Sequence, residues 1–442
     1  MAGLGDRRRG RSQEGTLKHG TRWGQSPRLA FSDTAILADM ARLLACDTSF
    51  PPGDGYAAFA ALLRPELDAM GFACREVTVP EALWAAPGAR GERLNLIAAR
   101  RTGRPVCSLY FHVDTVPPGD GWTRPSLACT REGDRLYGRG AADMKGCIAA
   151  AFAALRAAED CGIALAYDPV LLFCTDEEGG RYPGIRYLAE QGMVEGHLLS
   201  FNGGAAPRIW AGCFGSFDLL VRVHGRAAHS GDPAGGVNAI EAALPLLNAL
   251  ARLQAEVQTR RSALPAPPHY GQAPLTALLT VAAAHGGQKG SSLPACFELL
   301  INRRYAPEED FAEAVAELEK TVREAVQGGP ATGLETHLLG HLSPVGDPGG
   351  PHWPRWQAAL SAGFGFPPES FRRWGASSSS DMGWVQAAGI SEILLGGLAR
   401  PDSDIHGADE HTTLADIKAL AHSTLAYLAA DFASDLMPEE AP

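Results

Sequence analysis

From residue 31 onward, apolar positions recur with helical spacing in some segments and form short continuous runs in others. Helical spacing predicts amphipathic helices, and short apolar runs predict buried strands. The predicted helices are 36–44, 57–70, 144–158 and 184–191, and the predicted strands are 94–99, 108–113 and 169–174. Because helices and strands alternate, we expect an α/β layer: a mixed, mostly parallel sheet flanked by helices.

The pattern changes after Gly212, where residues 216–224 alternate between apolar and polar side chains, as a strand with one exposed face does. Beyond this strand, the sequence predicts helices at 239–257 and 309–326, strands at 276–282 and 296–302, and a Pro-rich loop at 264–268. This β–α–β–β–α order predicts an inserted α+β domain whose sheet carries two helices on one face.

The same patterns predict two domains. The α/β pattern returns after the insertion and ends in a helix near 415–430. We therefore expect the larger domain to combine 31–212 with 335–442, and the inserted domain to span 213–334.

Charge is distributed unevenly along the chain. The formal net charge is −11, yet residues 1–30 hold seven Lys/Arg against Asp6 and Glu14. An acidic body argues against nucleic acid as the main partner, because phosphate binding needs a basic surface. Residues 1–30 lack apolar periodicity, which predicts a disordered basic extension. They also lack the apolar centre of a secretory signal, and the chain has no long apolar run, so we expect a cytoplasmic protein without membrane contact.

Cysteine spacing excludes a zinc–thiolate site. The nine cysteines are scattered and form no CxxC pair. An odd number without motif spacing indicates reduced thiols rather than a disulfide framework. Any metal in this protein must therefore be held by histidines and carboxylates.

His112 and Asp143 are candidate metal ligands that follow the first apolar strands, and Asp114 could orient the His112 imidazole, as metal-bound histidines generally require. His112 and Asp114 close the strand 108–113, and residues two apart on a strand face the same way. They can point together into the crevice at the carboxyl end of the strand, where α/β proteins bind ligands. A His–Asp pair that caps a loop is the alternative. Asp143, in a Gly-rich turn before a predicted helix, is either a ligand or a helix N-cap.

Two further candidates occur later. Asp176, Glu177 and Glu178 end a buried strand, and packing three carboxylates together is costly without a cation nearby. Adjacent side chains on extended backbone diverge, so Glu178 can bind a metal while Glu177 faces a substrate. A solvated acidic loop is the alternative reading. His406, in the polar loop 404–411, is either a ligand or a surface histidine.

In their order and spacing, these four motifs resemble those of the co-catalytic zinc peptidase family that includes acetylornithine deacetylase, succinyl-diaminopimelate desuccinylase, aminoacylase and carboxypeptidase G-type enzymes. The likeness runs from about residue 31 to 430. It implies a two-metal site, with His112 on one metal, Asp143 bridging, and Glu178 and His406 on the second.

The resemblance also implies roles for residues around the metals. Asp114 would support His112, and Glu177 would take the proton from the attacking water. His229, in the inserted lid/dimerisation domain, would reach the active site across a homodimer or higher homo-oligomer to stabilise the oxyanion. Arg304 would bind a substrate carboxylate, for which its bidentate geometry is suited. A structural salt bridge is the alternative role for Arg304.

The chain departs from the family pattern at several positions. Asn202 stands where the family has a carboxylate ligand to the His112 metal, and an amide brings no charge. Ser291 and Asn302 replace an Asn and an Asp of the recognition residues, and the serine run 377–380 is unusual. We therefore expect one firm and one weak or labile site for a divalent transition metal (Zn, Mn or Co).

The resemblance implies a metal-dependent hydrolase that cleaves a C–N bond, usually the amide of an N-acyl amino acid or peptide. The altered positions favour an alternative function, which is hydrolytic deamination of an activated aromatic amino-carboxylate such as a nitroanthranilate. Either substrate is a small molecule with a carboxylate. A non-catalytic ligand-binding relative is the alternative from another class, and Asn202 is the feature in its favour.

Overall fold

The computed structural model describes residues 31–432. The predicted disordered extension, 1–30, lies outside these residues. The helices are α1 (Asp33–Ala45), α2 (Tyr56–Ala69), α3 (Glu81–Trp84), α4 (Lys145–Asp160), α5 (Gly184–Glu190), α6 (Ala239–Ala242), α7 (Leu244–Val257), α8 (Phe311–Val326), α9 (Trp353–Phe364), α10 (Met382–Ala387) and α11 (Leu414–Leu428). The strands are β1 (Ala73–Thr78), β2 (Leu94–Ala99), β3 (Val106–His112), β4 (Thr130–Glu132), β5 (Arg135–Tyr137), β6 (Asp168–Cys174), β7 (His197–Ser200), β8 (Arg208–Cys213), β9 (Gly215–His224), β10 (Leu278–Gly286), β11 (Cys296–Tyr305), β12 (Gly333–Leu342), β13 (Arg372–Ala376), β14 (Ile393–Leu395) and β15 (His411–Thr413).

A six-stranded sheet forms the centre of the larger part of the molecule. Its strand order is β1-β2-β6-β3-β7-β14. The pairs β6–β3, β3–β7 and β7–β14 are parallel, whereas β1–β2 and β2–β6 are antiparallel. Every residue of β6 is buried, because helices cover both faces of the sheet and leave no side to alternate toward water. The predicted mixed, mostly parallel sheet flanked by helices is confirmed.

A second sheet, which we call the lid sheet, consists of β9–β12 in the order β10-β11-β9-β12 and is antiparallel throughout. The side chains of β9 alternate strictly between buried and partly exposed positions. The buried ones, such as Phe217 and Leu219, pack with α7 and α8 into a core separate from that of the larger sheet.

The structure corrects two details of the predicted insertion. Strand β12 was missed because none of its residues is buried and its apolar residues follow no regular pattern. It pairs with β9 as far as Leu342, so the predicted boundary at residue 334 cuts through it. The single helix predicted over 239–257 is two helices, α6 and α7, and Pro245 lies in the first turn of α7, where its missing N–H is tolerated.

The lid sheet contacts the larger part of the molecule near α10. The His341 ring of β12 lies 5.0 Å from the Trp384 ring of α10, edge to face. Within residues 31–432, no helix combines the length and apolar character needed to cross a membrane.

Candidate metal and active site

Three neighbouring parallel strands bring candidate residues to one edge of the sheet. His112 is the last residue of β3 and pairs with Cys174, the last residue of β6. Glu177 and Glu178 follow β6 directly, and Asn202 follows β7, the other neighbour of β3. The carboxyl ends of adjacent parallel strands form a crevice, and the four side chains meet there.

Four of the predicted ligands form one cluster, which we call the ligand cluster: His112, Asp143, Glu178 and His406. His112 Nε2 lies 3.0 Å from Asp143 Oδ1. His406 Nε2 lies 2.9 Å from Glu178 Oε2 and 3.6 Å from Asp143 Oδ2. Asp143 therefore lies between the two histidines and offers one oxygen to each.

The histidines and carboxylates of the ligand cluster shift one another's pKa values. Burial alone would lower the pKa of the His112 imidazole, but the hydrogen bond to Asp143 and nearby carboxylates raise it well above its usual value. Hydrogen bonds to Asp143 and Glu178 raise the pKa of His406 to about 10. Burial opposes ionisation of Asp143, yet the two histidines lower its pKa.

The donor set fits a divalent transition metal. Single ligand atoms of His112, Asp143 and Glu178 all lie within 4.8 Å of one another. Imidazole and carboxylate are the ligands that zinc, manganese and cobalt accept. A bound dication would satisfy the carboxylates and leave both imidazoles neutral, as metal ligation requires.

Glu177 lies beside the ligand cluster and contacts Asn202. Asn202 Nδ2 donates to Glu177 Oε1 at 2.8 Å. Burial, opposed by the charge of His112, raises the pKa of Glu177 well above its usual value, and the buried carboxylate of Asp381 adds to the effect. Tyr110, two residues before His112 on β3, donates its hydroxyl to Asp381.

Asp114 differs from its predicted contact. His112 Nδ1 lies 3.1 Å from the main-chain oxygen of Asp114, whereas the nearest Asp114 carboxylate oxygen is 3.8 Å away. The carboxylate instead accepts the main-chain N–H of Glu178 at Oδ2, at 2.8 Å. Asp114 therefore holds the imidazole through its backbone and the Glu178 loop through its side chain. Burial raises the pKa of its carboxyl to about 7.

Glu410 joins the loops that carry Asp143 and His406. One of its carboxylate oxygens accepts the N–H of Gly140 at 3.0 Å. The other accepts the N–H groups of Ala142 and Asp143 at 3.0 and 3.1 Å. The glycine-rich turn before α4 is thus held from the loop that precedes β15.

Two of the predicted lid residues reach different places. Arg304 of β11 donates to Ser379 Oγ at 3.0 Å and to the main-chain oxygen of Ser377 at 3.4 Å, so it contacts the serine run of the larger part. Asn302 donates to Asp218 on the neighbouring strand β9 at 2.8 Å. The serine run and Arg304 therefore lie together, where the lid sheet meets the larger part of the molecule.

His229 and Ser291 lie at the exposed tip of the lid sheet. The main-chain N–H of Gly231 donates to His229 Nδ1 at 3.0 Å, and Ser230 donates its N–H to the carbonyl of Ser291 at 3.1 Å. Across residues 31–432, no hydrogen bond or ion pair links His229 to the ligand cluster.

A cavity of about 750 Å³ opens between the two parts of the molecule, next to the Glu177–Glu178 loop. Phe50 and Pro51 line one side, Leu338 and Leu339 of β12 line the other, and Gly180 lies between them. Leu338 and Leu339 are 46% and 45% exposed. The cavity therefore adjoins the loop that follows the glutamate pair, through Gly179 and Gly180.

Arg93 and Tyr110 were not found from the sequence, and Asp176 was identified only as one of three adjacent carboxylates, without its partners. Arg93, Asp176 and Tyr110 are buried polar groups inside or beside apolar strands, and no periodicity marks their partners. The serine run before Asp381 was a visible irregularity, and it is the one signal that could have led to the buried carboxylate.

The chain matches known proteins over most of its length. Residues 108–430 match the model of peptidase family M20/M25/M40. Succinyl-diaminopimelate desuccinylase of Xylella fastidiosa is 30% identical over 401 residues, which cover 85% of this chain and 94% of the relative. Acetylornithine deacetylase of Salmonella heidelberg is 31% identical over 223 residues, which cover 50% and 55%.

Solved structures share the fold. A di-peptidase of Saccharomyces cerevisiae, Dug1p, matches with a TM-score of 0.71 at 16% identity and covers 89% of this chain and 95% of its own. An M20 family metallo-carboxypeptidase of Sulfolobus solfataricus matches with a TM-score of 0.67 at 16% identity, over 90% and 98%. The chain belongs to peptidase family M20/M25/M40 and is a metal-dependent hydrolase that acts on C–N bonds.

Proposed function

We propose that the protein hydrolyses the amide bond of a small N-acyl amino acid or peptide that carries a carboxylate, with Glu177 as general base. The observation that carries the proposal is the position of Glu177, a partly buried residue beside the ligand cluster whose Oε1 accepts a hydrogen bond from Asn202. Binding alone does not need such a base, which argues against a non-catalytic role.

The residues would divide the work as follows. His112, Asp143, Glu178 and His406 would hold the metal. A divalent metal, when bound, lowers the pKa of water and polarises the group under attack. Glu177 accepts the proton that the attacking water loses and delivers it to the leaving nitrogen. Because Asn202 occupies Oε1, Oε2 is the oxygen that carries this proton.

Asn202 also bears on the number of metal ions. Its amide group donates to Glu177, so the neutral residue at this position serves the base. Because Asn202 carries no charge, the metal position at His112 has one negatively charged ligand fewer. Losing even an outer-shell partner typically costs about 10–100-fold in metal affinity. We therefore propose one firmly held ion, with Asp143, Glu178 and His406, and a weak or labile second site at His112.

Arg304 and the serine run supply the proposed carboxylate site. Arg304 already contacts Ser379 through one guanidinium nitrogen, and its planar fork is suited to a carboxylate. Ser291 lies at the exposed tip of the lid sheet, next to His229. We propose that both Ser291 and His229 act on the site of a second copy in a homodimer.

A second candidate is hydrolytic deamination of an activated aromatic amine bearing a carboxylate, such as a nitroanthranilate. The replacement of a ligand carboxylate by Asn202 favours it, because it changes the group that holds the general base. The products separate the two: amide hydrolysis releases a carboxylic acid and an amine, whereas deamination releases ammonia and a hydroxylated ring.

The direct test is Glu177→Gln, assayed with N-acyl amino acids, dipeptides and aminobenzoates in the presence of Mn²⁺, Co²⁺ or Zn²⁺. Removing a general base is expected to cost about 10²–10⁴-fold in kcat. Metal content should stay unchanged, because Glu177 is not a proposed ligand. Glu195→Gln, at an exposed ion pair with Arg101, is the matched control and should keep full activity. Full activity in Glu177→Gln would refute the proposal.

A further inference from the structure

The residue just before the glutamate pair has an unusual backbone. Asp176 has φ 62°, in the left-handed region that side chains other than glycine rarely adopt. Both of its carboxylate oxygens are bonded: Tyr56 donates its hydroxyl to Oδ1 at 2.8 Å, and Arg93 donates Nε–H to Oδ2 at 2.8 Å. Asp176 is 1% exposed. Its conformation is therefore held by two residues that lie far away in the sequence.

Arg93 is itself held on every side. Its side chain is fully buried, and its guanidinium lies 4.1 Å from the centre of the Trp84 ring. The remaining N–H groups donate to main-chain oxygens of Arg90, Gly91 and Pro52. Because its N–H groups are bonded to this many fixed acceptors, the Arg93 guanidinium can adopt only one orientation. Its hydrogen bond to Asp176 therefore also fixes the orientation of the Asp176 carboxylate.

The backbone after Asp176 leaves little freedom for the glutamates. Gly179 donates its N–H to the main-chain oxygen of Glu177 at 2.8 Å, and Asp114 accepts the N–H of Glu178. A Cβ placed at Gly180 would lie 2.1 Å from the Asp176 Cβ, so the turn folds directly onto the aspartate. Asp176 is thus the fixed point from which the Glu177 and Glu178 side chains diverge.

We propose that Arg93 and Tyr56 are positioning residues, which act through Asp176 to hold Glu177 at the proton-transfer position and Glu178 at the metal. The proposal rests on the proposed roles of Glu177 and Glu178. The network places these glutamates in the geometry of the reaction and does not touch substrate.

Asp168 offers a matched control on the same strand. It is a buried aspartate at the first residue of β6, at the end opposite Asp176. Its carboxylate accepts hydrogen bonds from the main chain of Thr102, Gly103 and Arg104. Asp168→Asn therefore disturbs the same strand by the same chemical change, but away from the glutamates.

The experiment compares Asp176→Asn, Tyr56→Phe, Arg93→Lys and Asp168→Asn in the full chain loaded with metal. An amide at position 176 can accept from one donor but turns its NH2 group toward the other. We expect kcat to fall about 10–100-fold in Asp176→Asn, and the dissociation constant of the metal, measured by calorimetry, to rise about tenfold. KM should change little. Tyr56→Phe removes one hydroxyl and should show a smaller loss of the same kind.

Arg93→Lys separates charge from geometry. Lysine keeps the charge but cannot reach Asp176 and the three carbonyls together, so partial activity is expected. Arg93 also donates to the main-chain oxygen of Pro52, and the neighbouring Pro51 lines the cavity, so Arg93→Lys can change KM as well. Asp176→Asn and Tyr56→Phe therefore provide the main test. Asp168→Asn should keep kcat and metal affinity per folded molecule.

Two results would overturn the proposal. One is that Asp176→Asn and Tyr56→Phe keep kcat and metal affinity. The other is that they lose activity only in proportion to unfolded protein, as Asp168→Asn does. The activity of Glu177→Gln separates failure of the positioning role from failure of the proposed function. If Glu177→Gln is inactive while Asp176→Asn is normal, only the positioning role fails. If Glu177→Gln is active, the proposed function fails.

Discussion

Arg139 and Glu410 form a fully buried ion pair: Arg139 Nη1 lies 2.7 Å from Glu410 Oε2, and each side chain is 1% exposed. The same guanidinium donates to the main-chain oxygens of His406 and Gly407 at 3.2 and 2.9 Å. Glu410 in turn accepts the N–H of Asp143. The pair therefore fixes the distance between two loops, each of which carries one member of the ligand cluster.

Replacing Glu410 with Gln should weaken both the fold and the metal site. The variant keeps the size of the side chain but leaves Arg139 buried without a counter-charge, and removing one partner of a buried pair costs about 3–5 kcal/mol. Metal affinity should fall about 10–100-fold. Urea unfolding and calorimetric metal titration measure the two effects. Glu132→Gln, at an exposed ion pair with Arg124, should leave both unchanged. A metal-binding constant equal to that of the wild type would contradict the role of Glu410.

Replacing Asn202 with Asp should strengthen the weak metal site. The wild type is expected to retain about one metal ion per chain after extensive dialysis, and Asn202→Asp about two, because a charged ligand is restored. Elemental analysis of the dialysed proteins measures this. An aspartate cannot donate to Glu177, so kcat should not rise with metal content. Two tightly held ions in the wild type would disprove the one-firm-site proposal.

Combining two inactive variants tests whether His229 of one subunit acts at the active site of the other subunit of a dimer. His229 Nδ1 accepts the N–H of Gly231, so in the neutral imidazole the ring proton is on Nε2. From Nε2 it can be donated to an oxyanion. His229→Ala should lose about 10²–10³-fold in kcat, as loss of an oxyanion donor does. Co-expressed with Glu177→Gln, it should recover about a quarter of wild-type activity, since statistically mixed dimers hold one intact site. Absence of recovery in proven mixed dimers would exclude the proposal.

Arg304→Ala should raise KM for carboxylate substrates. A hydrogen bond to a charged group contributes about 1.5–3 kcal/mol, so KM should rise about 10–100-fold while kcat changes less. The effect should disappear with substrates whose carboxylate is amidated, which measures the specific interaction. Arg323→Ala, at an exposed position on α8, is the control. Equal losses with free and amidated substrates would indicate a structural role for Arg304.

The stability of the protein should fall below neutral pH because of His197. The ring is buried, its Nε2 lies 2.6 Å from the Tyr427 hydroxyl oxygen, and it stacks on the His352 ring at 3.8 Å. Burial and the charge of His352 lower its pKa from 6.5 to about 3. His352 lies beside Glu392, and the guanidinium of Arg355 lies over the Tyr427 ring.

The direction in which stability changes with pH follows from proton binding at His197. Between the two pKa values the unfolded chain binds a proton at His197 that the folded chain excludes, so stability is complete above pH 6.5 and falls as pH drops toward 3. His197→Gln should flatten this fall, as measured by urea unfolding between neutral pH and about pH 4. His285→Gln, at an exposed position on β10, should not. An unchanged slope in His197→Gln would assign the acid sensitivity to other groups.

The sequence predicted the fold class and the ligand cluster because both depend on local patterns. Continuous apolar runs marked β3 and β6 as buried strands, and the ends of those strands identified His112 and the Glu177–Glu178 pair. Asp143 and His406 were candidates with an alternative role, and the resemblance of the motifs favoured their role as ligands. Strand β12 was missed because it is an edge strand with no buried residue, and its apolar residues follow no regular pattern.

Tertiary structure alone decided the contacts that support these residues. Arg93 and Asp176 are 83 positions apart, and Tyr110 and Asp381 are 271 apart. The strand order β2-β6-β3-β7 determines which of these groups meet, and no spacing along the chain encodes that order. The Asp114 carboxylate illustrates the point: sequence proximity suggested His112 as its partner, but parallel pairing of β3 with β6 brings the Glu178 N–H closer. Local sequence specifies which face a side chain occupies, whereas its hydrogen-bond partner depends on which element packs against that face.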